Sequence, residues 1–248
     1  MSSQSLVEQT VGILLDRFLA GEFGHLEPLP SETELVRQLD VSRLTLREAV
    51  RALRSQGVLK VRRGRGTYLS YFPEWVLTRE IIQAIGRANS EAKVRVDLLQ
   101  IREMIEVSAV KLFAATRTQQ HIDSMEQLFR EMQASHESLD VARFSKADVD
   151  FHNIFLHNCD NVFIPMMLGP ITEELYAGRL QTSSVAVVRN HAQTHHRLIL
   201  DAIISADPES CGKAVMEHIT QTAEDLLKEV MVPASLPAPK PPMIAKER

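Results

Sequence analysis

Apolar residues set the frame of this chain before any motif does. From Leu6 to Phe23, Val7, Val11, Leu14, Leu15, Phe18 and Leu19 recur at steps of three and four, the period of one helical face. Gly21 and the segment Glu27-Pro28-Leu29-Pro30 end that helix. Ser31 then stands three residues before Glu34, the spacing of a capping box, and Leu35 and Leu39 follow at helical spacing. Asp40 breaks the pattern. Ser42 restarts it as an N-cap, and Leu46, Ala49, Val50 and Leu53 form a single apolar stripe. Gly57 suits the left-handed position just past a helix end. Val58 to Arg62 and Thr67 to Leu69 read as two short strands turned by Gly64-Arg65-Gly66. Pro73 stops any further strand.

Strand signals vanish after Val76. Leu77 to Ile85, Val94 to Ala115, His121 to Met132, Val141 to Asn158, Val162 to Leu180, Val185 to Ala206 and Pro208 to Val230 all carry the helical period. Asp207 caps the last of these, with Pro208 at its first position. Helices of this length on short connections predict an antiparallel bundle. The fold class expected is therefore mainly α: an N-terminal winged helix-turn-helix over 6–70, a linker over 71–77, and an all-helical domain over 78–231. Residues 232–248 hold five prolines and few apolar side chains, the composition of a disordered tail. Trp75, beside the boundary, reads as core packing more readily than as an anchor between domains.

Charge changes the picture in one place. The 248 residues carry a formal net charge of −4, yet Arg43 to Arg65 holds eight basic residues against the lone Glu48. Such a reversal is the footprint of a polyanionic partner. A two-helix motif sets its second helix in the major groove with the N-terminal side chains at base edges. Those side chains are Ser42, Arg43, Thr45 and Arg47. The slim basic turn Arg63, Gly64 and Arg65 reaches a neighbouring groove or phosphates. Two cysteines without metal-type spacing read as small buried hydrophobes. No apolar run approaches a membrane span, and MSSQSLVEQT lacks the parts of a signal peptide, so a cytoplasmic location is expected.

The helical half carries polar residues on apolar stripes, which call for a reason. Asp148 and His152 are four apart on the face that holds Phe144, Phe151 and Phe155. His196 shares a stripe with Ile199, Leu200 and Ile203, and His218 one with Val215, Ile219 and Leu226. One carboxylate and three imidazoles suit a divalent ion such as Zn²⁺, Ni²⁺ or Mn²⁺. Taken singly, each histidine also reads as a hydrogen-bonded core residue, and His157, His191 and His195 compete for the same role.

Two sets of residues resemble a known family. Leu29-Pro30-Ser31-Glu32, Glu34-Leu35, Val41-Ser42-Arg43, Leu46-Arg47-Glu48-Ala49, Leu53, Gly57 and Arg63-Gly64-Arg65-Gly66-Thr67 resemble the GntR family of bacterial transcription regulators. Asp148-Val149-Asp150-Phe151-His152, Asn161, His196-Arg197-Leu198-Ile199 with Ala202-Ile203, and His218 resemble the FCD effector domain of its FadR-type branch. The resemblance implies a homodimer on an inverted-repeat operator, with repression relieved by an organic acid from sugar-acid or carboxylic-acid catabolism as the commoner behaviour. It implies a metal at Asp148, His152, His196 and His218, in that register. It also implies an effector pocket with Arg102, where an arginine can clamp a carboxylate, and with Asn161 of the matched motif; Arg189, seven residues before His196 on roughly the same face, is a second arginine candidate. Thr33 departs from the pattern, where the family's basic residue touches DNA. Two other readings are a metal-dependent enzyme acting on a small carboxylate, and a regulator with structural histidines that senses an acyl thioester.

Overall fold

The computed structural model describes residues 5–24 and 27–230, so the proline-rich stretch of 232–248 lies outside the described residues. Elements run in the order α1 (Leu6–Leu19), α2 (Glu32–Leu39), α3 (Arg43–Ser55), β1 (Leu59–Arg62), β2 (Gly66–Leu69), α4 (Arg79–Ala88), α5 (Glu91–Thr116), α6 (Gln119–Glu137) and α7 (Val141–His157). They continue with α8 (Phe163–Leu168), α9 (Thr172–Thr182), α10 (Ala186–Ser205) and α11 (Pro208–Asp225). Among the described residues, no helix is long and apolar enough to cross a membrane. The chain divides into two compact units, one up to Leu98 together with Pro165–Glu174, the other Leu99–Ile164 with Leu175 onward.

In the first unit, the stripes of α1 (Val11, Leu14, Leu15, Phe18) and α3 (Leu46, Ala49, Leu53) close on Leu35, Val58, Leu59 and Leu69. Ile81 and Ala84 of α4 are buried in the same core. The compact unit thus extends past the 71–77 stretch at which the sequence placed its linker. Asp40 takes the left-handed conformation at φ 51° and turns α2 into α3, and the Ser42 hydroxyl accepts the Thr45 N–H at 3.0 Å. Ser31 likewise accepts the Glu34 N–H at 3.3 Å. The reciprocal half of that expected box is replaced, because the Glu34 carboxylate accepts from Arg37 and Gln38 instead. β1 and β2 pair antiparallel, Leu59 opposite Leu69 and Arg62 opposite Gly66. Trp75 packs half-buried against this core.

In the second unit, α6 packs on α7, and α10 on α11 and α6. The interior is filled by Phe113, Met125, Met132, Phe144, Phe151, Phe155, Ile199 and Ile203. One expectation is corrected. The predicted helix from Val162 to Leu180 is two helices, α8 and α9, with a 3₁₀ turn at Gly169–Ile171 between them. Pro170 lacks the N–H that a continuous helix needs, and its ring crowds the turn before it. The last helix also departs from regularity, closing in a π-type turn at Leu226–Val230.

Candidate DNA interface and candidate metal centre

The two-helix motif and the wing place every basic side chain of the reversed-charge stretch at the surface. Arg43, Arg47, Arg63 and Arg65 are exposed. The Ser42 and Thr45 hydroxyls lie 2.7 Å apart at the start of α3. Leu44, between Arg43 and Thr45, is 72% exposed, an apolar side chain that sequence reasoning passed over because it breaks the buried stripe. Arg47 is not a free cation: its Nε lies 3.0 Å from both carboxylate oxygens of Glu32 at the start of α2. Gly64 at φ 74° and Gly66 at φ 100° form the wing turn. The turn is held by Arg65 N–H to the Arg62 carbonyl and by the Tyr68 hydroxyl to the Arg65 carbonyl at 2.9 Å.

In the second unit, Asp148 and His152 of α7, His196 of α10 and His218 of α11 come together. One potential ligand atom from each lies within 4.8 Å of every other. All four are buried, His196 completely. The Phe-rich face of α7 turns Asp148 and His152 inward. The Nε2 atoms of His152 and His196 face each other at 3.2 Å, and Asp148 Oδ1 lies 3.4 and 3.0 Å from them. Donors around one ion at about 2.0–2.2 Å would be separated by roughly 2.8–3.6 Å, so these spacings fit a shared cation. The buried Nδ1 of His218 has no hydrogen-bond partner, which fits the same reading.

A second ring of residues surrounds these four. Glu106 of α5, wholly buried, stands 2.8 Å from His152 Nδ1 and accepts from Arg102 Nε at 2.7 Å. A carboxylate behind a histidine is the arrangement that orients a metal-ligating imidazole. Arg179 of α9 pairs with Asp148, its Nε 2.9 Å from Oδ2, and its buried Nη2 has no hydrogen-bond partner. Burial alone would push the Glu106 carboxyl up, but Arg102, His152 and Arg179 outweigh it and hold the group well below the usual carboxylate range. Asp148 is likewise held low against its burial, by Arg179, His152 and His196. Burial pushes His196 down, with Asp148 opposing. It pushes His218 far down, with His196 and His152 adding to it. Both therefore favour the neutral, metal-binding form.

A small cavity lies beside this cluster, lined by Arg102, Asp148, Arg179 and His218 among others. Of the three arginine and asparagine contacts expected there, only Arg102 lines it. Arg189 is buried but turned away, donating to His136 Nδ1 and the Ser183 carbonyl. Asn161 is exposed and caps the Phe163 N–H at 3.1 Å, because the loop after α7 needs that cap. Arg179 and Glu106 were missed: each sits in a helix whose pattern gives no sign of which polar residue faces in.

A winged two-helix motif bearing an exposed basic helix, followed by a helical domain with a buried polar cavity, defines a DNA-binding regulator with a sensor domain. Residues 6–69 match the family described as bacterial regulatory proteins, gntR family, and residues 97–221 match the FCD domain. The chain is 31% identical over 197 residues to a putative L-lactate dehydrogenase operon regulatory protein of Escherichia coli (strain K12), covering 77% of this chain and 75% of that protein. It is 27% identical over 201 residues to the HTH-type transcriptional repressor NanR of Cronobacter sakazakii (strain ATCC BAA-894), covering 80% and 76%. Among solved structures it resembles Streptococcus agalactiae GntR, with a TM-score of 0.50 and 27% identity over 88% of this chain and 99% of that one. The chain belongs to the GntR family of bacterial transcription regulators, with an FCD effector domain. Family and relatives are transcription regulators, not enzymes, which sets the metal-dependent-enzyme reading aside.

Proposed function

We propose that this protein is a homodimeric, cytoplasmic repressor that binds an inverted-repeat operator and releases it when a small carboxylic acid enters the FCD cavity. The names of the relatives, a lactate-operon regulator and a repressor, support that direction. Ser42, Arg43, Thr45 and Arg47 read the major groove, with Arg63, Gly64 and Arg65 at the flank. Glu32 holds Arg47 in place, so Arg43 is the freer of the two arginines. Arg43→Ala is expected to weaken operator binding by about 1–3 kcal/mol and to relax base preference at one position. Raising salt from about 50 to 200 mM is expected to cut affinity about a thousandfold. Fluorescence anisotropy on operator and scrambled duplexes checks both, and unchanged discrimination in Arg43→Ala would refute the groove assignment.

The observation that carries the sensor reading is the charge of the buried cluster. Arg102 and Arg179 balance Glu106 and Asp148, while burial keeps His196 and His218 toward the neutral form. Asp148, His152, His196 and His218 would hold a divalent ion, with zinc favoured by the histidine-rich set and nickel or manganese the alternatives. Such an ion supplies a Lewis-acidic contact for a carboxylate and leaves the cluster two charges positive, so an anion completes it. Arg179, with an unsatisfied Nη2, and Arg102 are the side chains that would clamp the carboxylate. Ligand then acts through its differential affinity for the DNA-competent and DNA-released states. His196→Ala is expected to lose the metal and the response to acid while operator binding persists. Metal analysis and operator titration with and without acid test this, and full metal occupancy in the variant sinks the ligand assignment.

A further inference from the structure

One apolar side chain stands on the charged side of α3. The buried stripe of that helix is Leu46, Ala49 and Leu53. Leu44 is about half a turn away from all three, so it points out of the fold. Among the residues of α3 it is the one large apolar side chain left exposed. Arg47 and Arg51, three and seven residues on, share its side, with side chains 66% and 81% exposed. Glu48, beside them, is drawn to Arg51. A lone exposed leucine needs no explanation. This one heads the face on which the basic charge sits, at the end of the helix where base edges are met.

The neighbours narrow what it can do there. The Ser42 and Thr45 hydroxyls bond each other at 2.7 Å, and Ser42 Oγ also accepts the Thr45 N–H, so the cap engages both. Arg47 is held by Glu32. Arg43 and Leu44 are the uncommitted side chains of the first turn, one charged and one apolar. A duplex drawn to Arg47 and Arg51 covers Leu44 and removes it from water. The apolar group that a base edge offers in the major groove is the C5-methyl of thymine. Adenine, guanine and cytosine present donors and acceptors there. A leucine laid against these shuts out their water and gives no hydrogen bond in return, which is costly.

We infer that Leu44 reads a thymine in each operator half-site by packing on its C5-methyl group, next to the base that Arg43 reads. This rests on the recognition-helix reading above and adds an apolar specificity residue to it. Consecutive Cα atoms lie about 3.8 Å apart, close to the roughly 3.4 Å between base pairs. The thymine therefore falls within about two base pairs of the guanine taken by Arg43.

The full chain, used to select from a randomised duplex pool, is expected to enrich a half-site with that guanine and thymine. In the selected duplex, deoxyuridine in place of the thymine removes one methyl group and nothing else. Fluorescence anisotropy is expected to show affinity falling about three- to fivefold, the worth of one methyl group taken out of water. At the same place 5-methylcytosine is expected to bind better than cytosine by a similar factor. Both differences are expected to vanish in Leu44→Ala and to persist in Leu44→Met, with melting temperatures confirming that each variant folds. A selected half-site without the thymine overturns the inference. So does binding that ignores the methyl group, or a methyl effect of the same size in Leu44→Ala. In those three cases a guanine preference that Arg43→Ala removes leaves the recognition-helix reading standing. A pool that yields no sequence preference brings down both.

Discussion

Replacing Glu106 by alanine is expected to lower the unfolding free energy by about 3–5 kcal/mol, the range for removing one partner of a buried ion pair. Glu106 is 0% exposed, and Arg102, Arg179 and His152 all lie against it. Without it, two buried guanidinium groups share the single counter-charge of Asp148. Glu106→Gln keeps the volume and loses the charge, so it should recover only the packing part of that loss. Urea unfolding of metal-free protein at pH 7 measures both. A loss below about 1 kcal/mol would show that water reaches the cluster and screens it.

The same cluster sets the acid limb of stability. Glu106 and Asp148 titrate below their ordinary values of 4.5 and 3.8. The stability they contribute is complete above about pH 5 and is lost as the pH falls through their folded values. His196 and His218 titrate below 6.5 in the fold, so the unfolded chain takes up protons first and stability also falls as the pH drops below 6.5. Both effects run the same way. Glu106→Ala should flatten the limb below pH 4.5 and leave the one between 5 and 6.5.

What the sequence made legible follows from which physics is local. Caps, turns and strands depend on a few neighbouring residues, so Ser42, the wing and the helix from Pro208 were readable. Asp148 and His152 share a face by spacing alone, and the phenylalanines say which face. Bringing His196 and His218 to them is a tertiary fact, and the resemblance supplied it where the periodicity left His191 and His195 open. Glu106 was invisible for a local reason. It stands four residues after Arg102, the spacing of an ordinary surface pair, and only the fold shows that this pair is buried. Arg179 follows a Gly-Pro break that the helical period hid. Arg189 was placed by face arithmetic on α10 and is indeed buried, but a helix face says nothing about which cavity it borders. The half-made box at Ser31 shows the same limit, since Arg37 and Gln38, three and four residues on, take the Glu34 carboxylate instead.

Gly57→Ala is expected to destabilise the N-terminal unit by about 3 kcal/mol or more and to disturb the wing with it. Two costs add. Gly57 has φ 73°, where an alanine loses roughly 1–2 kcal/mol. A Cβ there would also sit 2.4 Å from the Glu74 carbonyl oxygen, a backbone atom that cannot swing aside. That backbone is tied down, because the Val76 N–H donates to the Gln56 carbonyl at 2.8 Å and the Ser70 hydroxyl donates to the Gly57 carbonyl. Gly64 is the internal control. It has φ 74° and nothing within 4 Å of a built Cβ, so Gly64→Ala carries the conformational cost alone, about 1–2 kcal/mol. Asp40 and Ala206 already accept that conformation without glycine. Unfolding of the two variants side by side separates the costs. Equal losses would mean that the segment after the wing yields to the new methyl group, and that the close approach at Gly57 contributes nothing of its own. A larger loss at Gly57, with operator affinity falling alongside, would show that the strap from Ser70 to Val76 fixes the wing relative to α3.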